Sequence, residues 1–154
     1  MDKLESIQDL LDRVPHQRAL GFRIVTFGPE EIIGFVPYDE RLVGNPLTGV
    51  PHGGVVTTLL DTIGGIAVWA RLERFLAMAT LDLRIDYLRP STPGADVYGR
   101  VECYKLTRNV AFTRGTAFNE SPADPIAAMT ATYMLNTASE RRSPETPPDD
   151  ADPR

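Results

Sequence analysis

Polar and apolar positions alternate along this chain in two rhythms, and the changes between them mark out the elements. In residues 2–13, Leu4, Ile7, Leu10 and Leu11 recur at the spacing of one helix face, and Pro15 ends the run. "LGFRIVTFGPEEIIGFVP" reads as two extended runs around the turn "GPEE". Residues 38–51, "YDERLVGNPLTGVP", keep no rhythm and form a Gly/Pro-rich loop of the kind that carries binding function. Residues 54–72 return to helical spacing. From residue 80 the period drops to two: "TLDLRIDYL" sets Leu81, Leu83, Ile85 and Tyr87 on one face. After the break "RPSTPGAD" come "VYGRVECYKLT", "NVAFTRGTAF" and "PIAAMTATYMLN", three β-rich runs separated by the turn-like "RN" and "NESPAD".

The order is a short helix, a bent strand or hairpin, one long helix, then four consecutive strands. It predicts an α+β fold, an antiparallel meander wrapped around a single central helix that has only the sheet to bury itself against. The last sixteen residues, "SERRSPETPPDDADPR", hold four prolines, many charges and nothing large and apolar, so they are expected to stay disordered. The predicted organisation is an N-terminal helix at 1–14, one domain at 15–138 and an acidic, Pro-rich tail at 139–154.

Composition narrows the classes. The chain has 154 residues, 42% apolar and 24% charged, an ordinary soluble balance with room for one core. A net charge of −5 without a basic run argues against nucleic-acid binding. One cysteine, Cys103, excludes an internal disulfide framework, and the two histidines, at 16 and 52, show no zinc-ligand spacing with it, so no metal is expected. The charged N-terminus lacks a signal peptide's apolar core, and no unbroken apolar stretch approaches the roughly 18 residues of a membrane span. The expectation is a cytoplasmic protein with no membrane partner.

The long helix carries the candidate chemistry. With Asp61 at 0° on a helical wheel, Val55, Val56, Leu59, Leu60, Ile63, Ile66, Ala67 and Ala70 fall between about 120° and 260°, opposite the carboxylate. Around Asp61 lie Gly54, Thr57, Thr58, Gly64, Gly65 and Val68, where a surface helix would carry Lys, Glu and Arg. Such a smooth face permits close approach by a partner subunit or a slender ligand. "PHGG" stands where the helix begins, and its first amides lack intrahelical acceptors. An amide at Gly53 or Gly54 polarising a carbonyl, with a carboxylate to activate water or attack, suits acyl transfer or hydrolysis without a serine or cysteine nucleophile. Eight residues of helix separate the two by roughly 12 Å, too far to act on one carbonyl, so they are expected to come from different subunits of a dimer.

Other chemistries fit less well. "HGG" as the oxyanion loop of a serine esterase needs a Gly-x-Ser-x-Gly elbow, which is missing. Cys103 lies mid-strand as a buried thiol. His16 reads as a surface or packing residue, and His52 is open to two readings, a general base or, the better fit, a hydrogen-bonding residue that shapes the start of the helix.

"NPLTGVPHGGVVTTLLDTIGGIA" followed by "TLDLRIDYLRP" resembles the hotdog-fold thioesterases of the phenylacetic-acid (PaaI-like) group, over roughly residues 15–137. The resemblance implies a hotdog fold and hydrolysis of an acyl-CoA thioester, without a cofactor, by a homodimer or homotetramer. It makes Asp61 the catalytic carboxylate, Gly53 the amide that polarises the thioester carbonyl, and His52 its neighbour. Asn45 matches an asparagine or glutamine that orients water or the carbonyl, and Thr80 a Ser/Thr that positions the nucleophilic water. "YLRPS" resembles the segment beside coenzyme A, with Arg89 as the phosphate contact and Pro90 next to it. Gly54, Thr57 and Val68 on the small-residue face complete the substrate-binding set. Val68, Trp69, Leu72 and the loop 38–50 shape the acyl tunnel, and the lack of a charged pocket favours a medium-chain or aryl acyl group. Two rivals share the fold: a hydratase acting on acyl thioesters, and a non-catalytic acyl-CoA-binding sensor or carrier.

Overall fold

In a computed structural model, which describes residues 3–135, the element order follows these expectations with two departures that matter for the site. Helix α1 (Lys3–Asp12) buries Ile7 and Leu11, while Leu10 turns outward at 40% exposure. Pro15 does more than end α1. It opens a second short helix, α2 (Pro15–Leu20), at a first-turn position where the missing N–H costs nothing, and Gly21, at φ 66°, closes it. The predicted tail, 139–154, lies outside the described residues.

Strands β1 (Arg23–Phe27) and β2 (Ile32–Val36) form the hairpin around "GPEE". The Gln8 side chain of α1 covers the outer edge of β1, donating to Phe22 O at 3.1 Å and accepting from Ile24 N at 2.9 Å. The loop 38–51 is more ordered than its composition suggests. A 3-10 turn at Glu40–Leu42 leads into a small hairpin of β3 (Val43–Asn45) and β4 (Val50–Pro51) that delivers the chain to helix α3 (Gly53–Leu72).

Strands β5 (Met78–Tyr87), β6 (Val97–Leu106), β7 (Val110–Phe118) and β8 (Ala127–Leu135) complete an antiparallel sheet of order β1-β2-β6-β7-β8-β5. The first departure is here: β6, β7 and β8 form a meander, but β5 pairs with β8 at the far edge, not with β6. Alternation identifies the faces of a strand and is silent on its neighbour. The long β5–β6 connection crosses the end of the sheet, and the buried Asn119 side chain holds it there, donating to Asp96 O and Ser91 Oγ and accepting from Thr92 N.

Helix α3 packs across β2, β6 and β7, and every residue of its predicted apolar face is buried. Gly99 of β6 lets it come close, since a Cβ there would stand 2.6 Å from Ile63 Cδ1. Each fully buried Leu or Ile of this layer contributes about 1.5–3 kcal/mol. α3 is long and apolar enough to cross a membrane by length and composition, yet it is the core helix of this sheet.

The second departure lies in β5. Thr80 pairs with Tyr133 and Asp82 with Thr132, so Leu81 is an unpaired bulge residue. Strict alternation would put Leu81 with Leu83, Ile85 and Tyr87. The bulge instead turns Leu81 outward at 54% exposure and brings Thr80 to the helix side.

Candidate active site

Both ends of the candidate site are built on α3. At its start His52 is the N-cap: its Nδ1 accepts from Gly54 N at 2.9 Å, which places the proton of the neutral ring on Nε2. A Cβ at Gly54 would sit 2.8 Å from that Nδ1, so glycine here preserves the cap. The Gly54 amide is therefore committed, and of the two candidate donors Gly53 is the one whose N–H meets no acceptor among the described residues. The Gly53 carbonyl accepts from the Tyr87 hydroxyl at 2.7 Å and from Thr57 Oγ1 at 3.3 Å, and the two hydroxyls lie 3.0 Å apart. Thr57 thus helps to pin the end of β5 to the first turn of α3.

Two turns along, Asp61 projects from the half-buried face. Thr80 Oγ1 donates to its Oδ1 at 2.9 Å. Beneath it the Tyr133 hydroxyl, on a side chain only 2% exposed, donates to Asp61 O at 3.0 Å and stands 3.5 Å from Oδ1. Burial, and then the Asp61 charge, push the Tyr133 phenol well above its ordinary pKa, so it remains a proton donor. Gly64 makes this contact possible, because a Cβ there would lie 2.2 Å from the Tyr133 oxygen.

Each end of the candidate site opens on its own cleft. Near Gly53, Pro51, Tyr87, Arg89 and Pro90 line one of about 390 Å³. Near Asp61, Thr80, Gly65, Met78 and Trp69 line another of about 240 Å³. The structure does not bring Gly53 and Asp61 together: they stay about 12 Å apart along the helix axis. Asn45 lies elsewhere, in the β3–β4 turn, where its Oδ1 accepts from Leu47 N at 3.0 Å. Arg89 lines the first cleft, but its guanidinium is turned onto Asp124, with Nη2 2.9 Å from Oδ2. Val68 is 0% exposed and presents no surface to a ligand in this chain. Burial pushes the Cys103 thiol up, and it lines neither cleft.

Sequence reasoning missed Tyr133, and it placed Tyr87 on the strand and in the "YLRPS" segment without its tie to Gly53. A tyrosine among small residues in "AAMTATYML" and the Gly64-Gly65 pair are both visible, but only the β8–β5 register and the helix packing set one against the other.

A family model described as "Thioesterase superfamily" matches residues 48–126 of this chain. The medium/long-chain acyl-CoA thioesterase YigI of Escherichia coli K12 is 31% identical over 135 residues, covering 79% of this chain and 86% of its own. A solved Pseudomonas aeruginosa structure is 42% identical with TM-score 0.77, covering 85% of this chain and 97% of that one. A Haemophilus influenzae thioesterase structure is 27% identical with TM-score 0.80, covering 93% and 96%. The six-stranded antiparallel sheet around one long helix is their hotdog architecture, and with the family match across α3 and strands β5 to β7, the chain belongs to the thioesterase superfamily and is a thioester hydrolase.

Proposed function

We propose that this chain is an acyl-CoA thioesterase whose active site forms between two copies, Gly53 from one and Asp61 from the other, and that it hydrolyses medium-chain or aryl acyl-CoA. The observation that carries the reading is the state of β5. It is an edge strand of ten residues, fastened to Asp61 through Thr80 and to Gly53 through Tyr87. An exposed edge of that length invites pairing. If two copies pair antiparallel about Arg84, with the bulged Leu81 left out of the register, Thr80 of each comes opposite Tyr87 of the other, at a strand spacing of about 4.8 Å. The carboxylate of one subunit then faces the free amide of the second.

In that arrangement the thioester oxygen accepts from Gly53 N–H, which stabilises the negative charge that develops on it. His52 serves by engaging the neighbouring Gly54 amide and fixing the helix start. Asp61 takes a proton from water as the water oxygen attacks the acyl carbon, or attacks it directly. On the first route Asp61 passes that proton to the sulfur as the C–S bond breaks, so that the coenzyme A thiol and the free acid leave; on the second the thiolate takes its proton from water, and a further water hydrolyses the acyl–Asp61 anhydride to the free acid. Thr80 orients the carboxylate. Coenzyme A lies along the cleft at Pro51, Tyr87 and Pro90, and Arg89 must exchange Asp124 for a phosphate to contact it there. Asn45, occupied in its own turn, is assigned no step. The names of the relatives, among them human acyl-coenzyme A thioesterase 13 at 28% identity over 112 residues, support the coenzyme A ester as substrate.

The test is thiol release, followed with a chromogenic disulfide reagent, from short, medium, long and aryl acyl-CoA. Wild type is expected to release thiol, and Asp61→Asn to stay folded with kcat reduced at least about a hundredfold, the scale of a lost acid–base group. Tight acyl-CoA binding without release would instead make the chain a sensor or carrier.

A further inference from the structure

We infer that Trp69 is the length ruler for the acyl group, which lies in the groove running from Asp61 over Gly65 to the indole. This rests on the thioesterase reading of Asp61 and adds a limit on its substrates. The groove is bounded by α1, α3 and β5, and Leu11, Ile66 and Met78 make its walls apolar. Its floor is Gly65, one turn beyond Asp61. A Cβ on Gly65 would meet nothing nearer than Met78 Sδ at 3.8 Å and Tyr133 Cε1 at 3.9 Å, whereas one on Gly64 would collide with the Tyr133 oxygen. Gly64 is demanded by the packing of the chain itself. Gly65 leaves room that no atom of this chain uses, beside the carboxylate that reacts.

Trp69 closes the far end. Its indole N–H donates to Leu76 O at 2.9 Å, and Phe75 packs edge-on against it with ring centroids 5.2 Å apart, so the ring is held from two sides. Beyond the indole lies a second cleft of about 200 Å³, lined by Phe27, Ala70 and Phe75. Trp69 lines both clefts and stands as the partition between them. A cavity of about 150 Å³ holds benzene, so by the same measure the 240 Å³ groove admits one ring with a short linker, or an unbranched chain of about ten carbons. A longer chain meets the indole.

The test is the chain-length profile of kcat/KM from butyryl- to palmitoyl-CoA for wild type, Trp69→Leu and Gly65→Leu, with thermal melts to establish that each is folded. Wild type should lose activity beyond about ten carbons, since a methylene that no longer fits costs roughly tenfold or more. Trp69→Leu opens the partition and should move that limit several carbons longer. Gly65→Leu fills the floor and should move it the other way, lowering the octanoyl-CoA to butyryl-CoA ratio of kcat/KM about tenfold. If wild type takes palmitoyl-CoA as well as octanoyl-CoA, or if both variants keep the wild-type profile while turnover still depends on Asp61, the ruler is wrong and the thioesterase reading stands. If no thioester is hydrolysed, or Asp61→Asn is as fast as wild type, that reading falls and the ruler with it.

Discussion

Gly64 and Gly65 are neighbours in one helix, and replacing each by alanine should change stability in opposite directions. Glycine to alanine inside a helix ordinarily gains about 1 kcal/mol. At Gly65 the added carbon meets only ordinary contacts, so most of that gain should appear. At Gly64 it would stand 2.2 Å from the Tyr133 oxygen and 3.1 Å from Cζ of the same ring, a rigid side chain with nowhere to retreat. Overpacking of this kind costs about 1–3 kcal/mol, and displacing the hydroxyl from Asp61 O removes a buried hydrogen bond worth about 1 kcal/mol. After the helix gain is subtracted, Gly64→Ala should be destabilised by about 1–3 kcal/mol. Tyr133→Phe clears the nearer contact, so the double variant should be markedly less destabilised than the two single variants added together, with a coupling of about 1–3 kcal/mol. Urea unfolding at one fixed protein concentration measures the four variants against wild type, with an unchanged denaturant slope as the control. Additive effects, or a Gly64→Ala protein as stable as Gly65→Ala, would refute the placement of Tyr133 beneath Asp61.

Two further outcomes follow from the same geometry. Thr80→Ala removes the donor to Asp61 Oδ1 and should lower kcat several-fold with KM little changed, while Thr80→Ser, which keeps the hydroxyl, should recover most of it; steady-state kinetics decides, and equal loss in both would deny the hydroxyl its role. Cys103 is buried and its thiol pKa is raised by burial, so the reactive thiolate is scarcer at any assay pH below that pKa. The native protein should therefore react with the chromogenic disulfide far more slowly than the protein in guanidinium, and rapid stoichiometric reaction of the native form would contradict that burial.

The parts of this molecule legible in its sequence are those governed by local periodicity. The wheel that set Val55, Leu59, Ile63 and Ile66 opposite Asp61 described the packing of α3, because a core helix has one way to bury that face. The resemblance pointed to Asp61 and Thr80, and the structure joins them by a hydrogen bond. What escaped depends on register and on long connections. The bulge at Leu81 inverts the first three residues of β5 without disturbing its alternating appearance, and the β5–β8 pairing follows from where the 88–96 segment is held by Asn119. The tie between Arg89 and Asp124 joins residues thirty-five positions apart, which no local pattern announces. Pro15 is ambiguous for a different reason: the same residue that terminates one helix is suited to begin the next.

Sharing of the site between subunits is tested most directly by complementation. Asp61→Asn removes the carboxylate. Gly53→Pro removes the amide at the first helical position, which tolerates proline; the extended His52 before it, at ψ 137°, is compatible with that residue, and the Tyr87 hydroxyl, 3.1 Å from the added carbon, must yield by a few tenths of an ångström. Each variant alone should be nearly inactive. When the two are unfolded together and refolded as an equal mixture, half of the dimers are mixed, and each mixed dimer holds one intact site of two. A shared site therefore predicts recovery of about a quarter of wild-type thiol release, by the statistics of a two-fold interface. A mixture no more active than its parents would show that Gly53 and Asp61 do not meet across subunits.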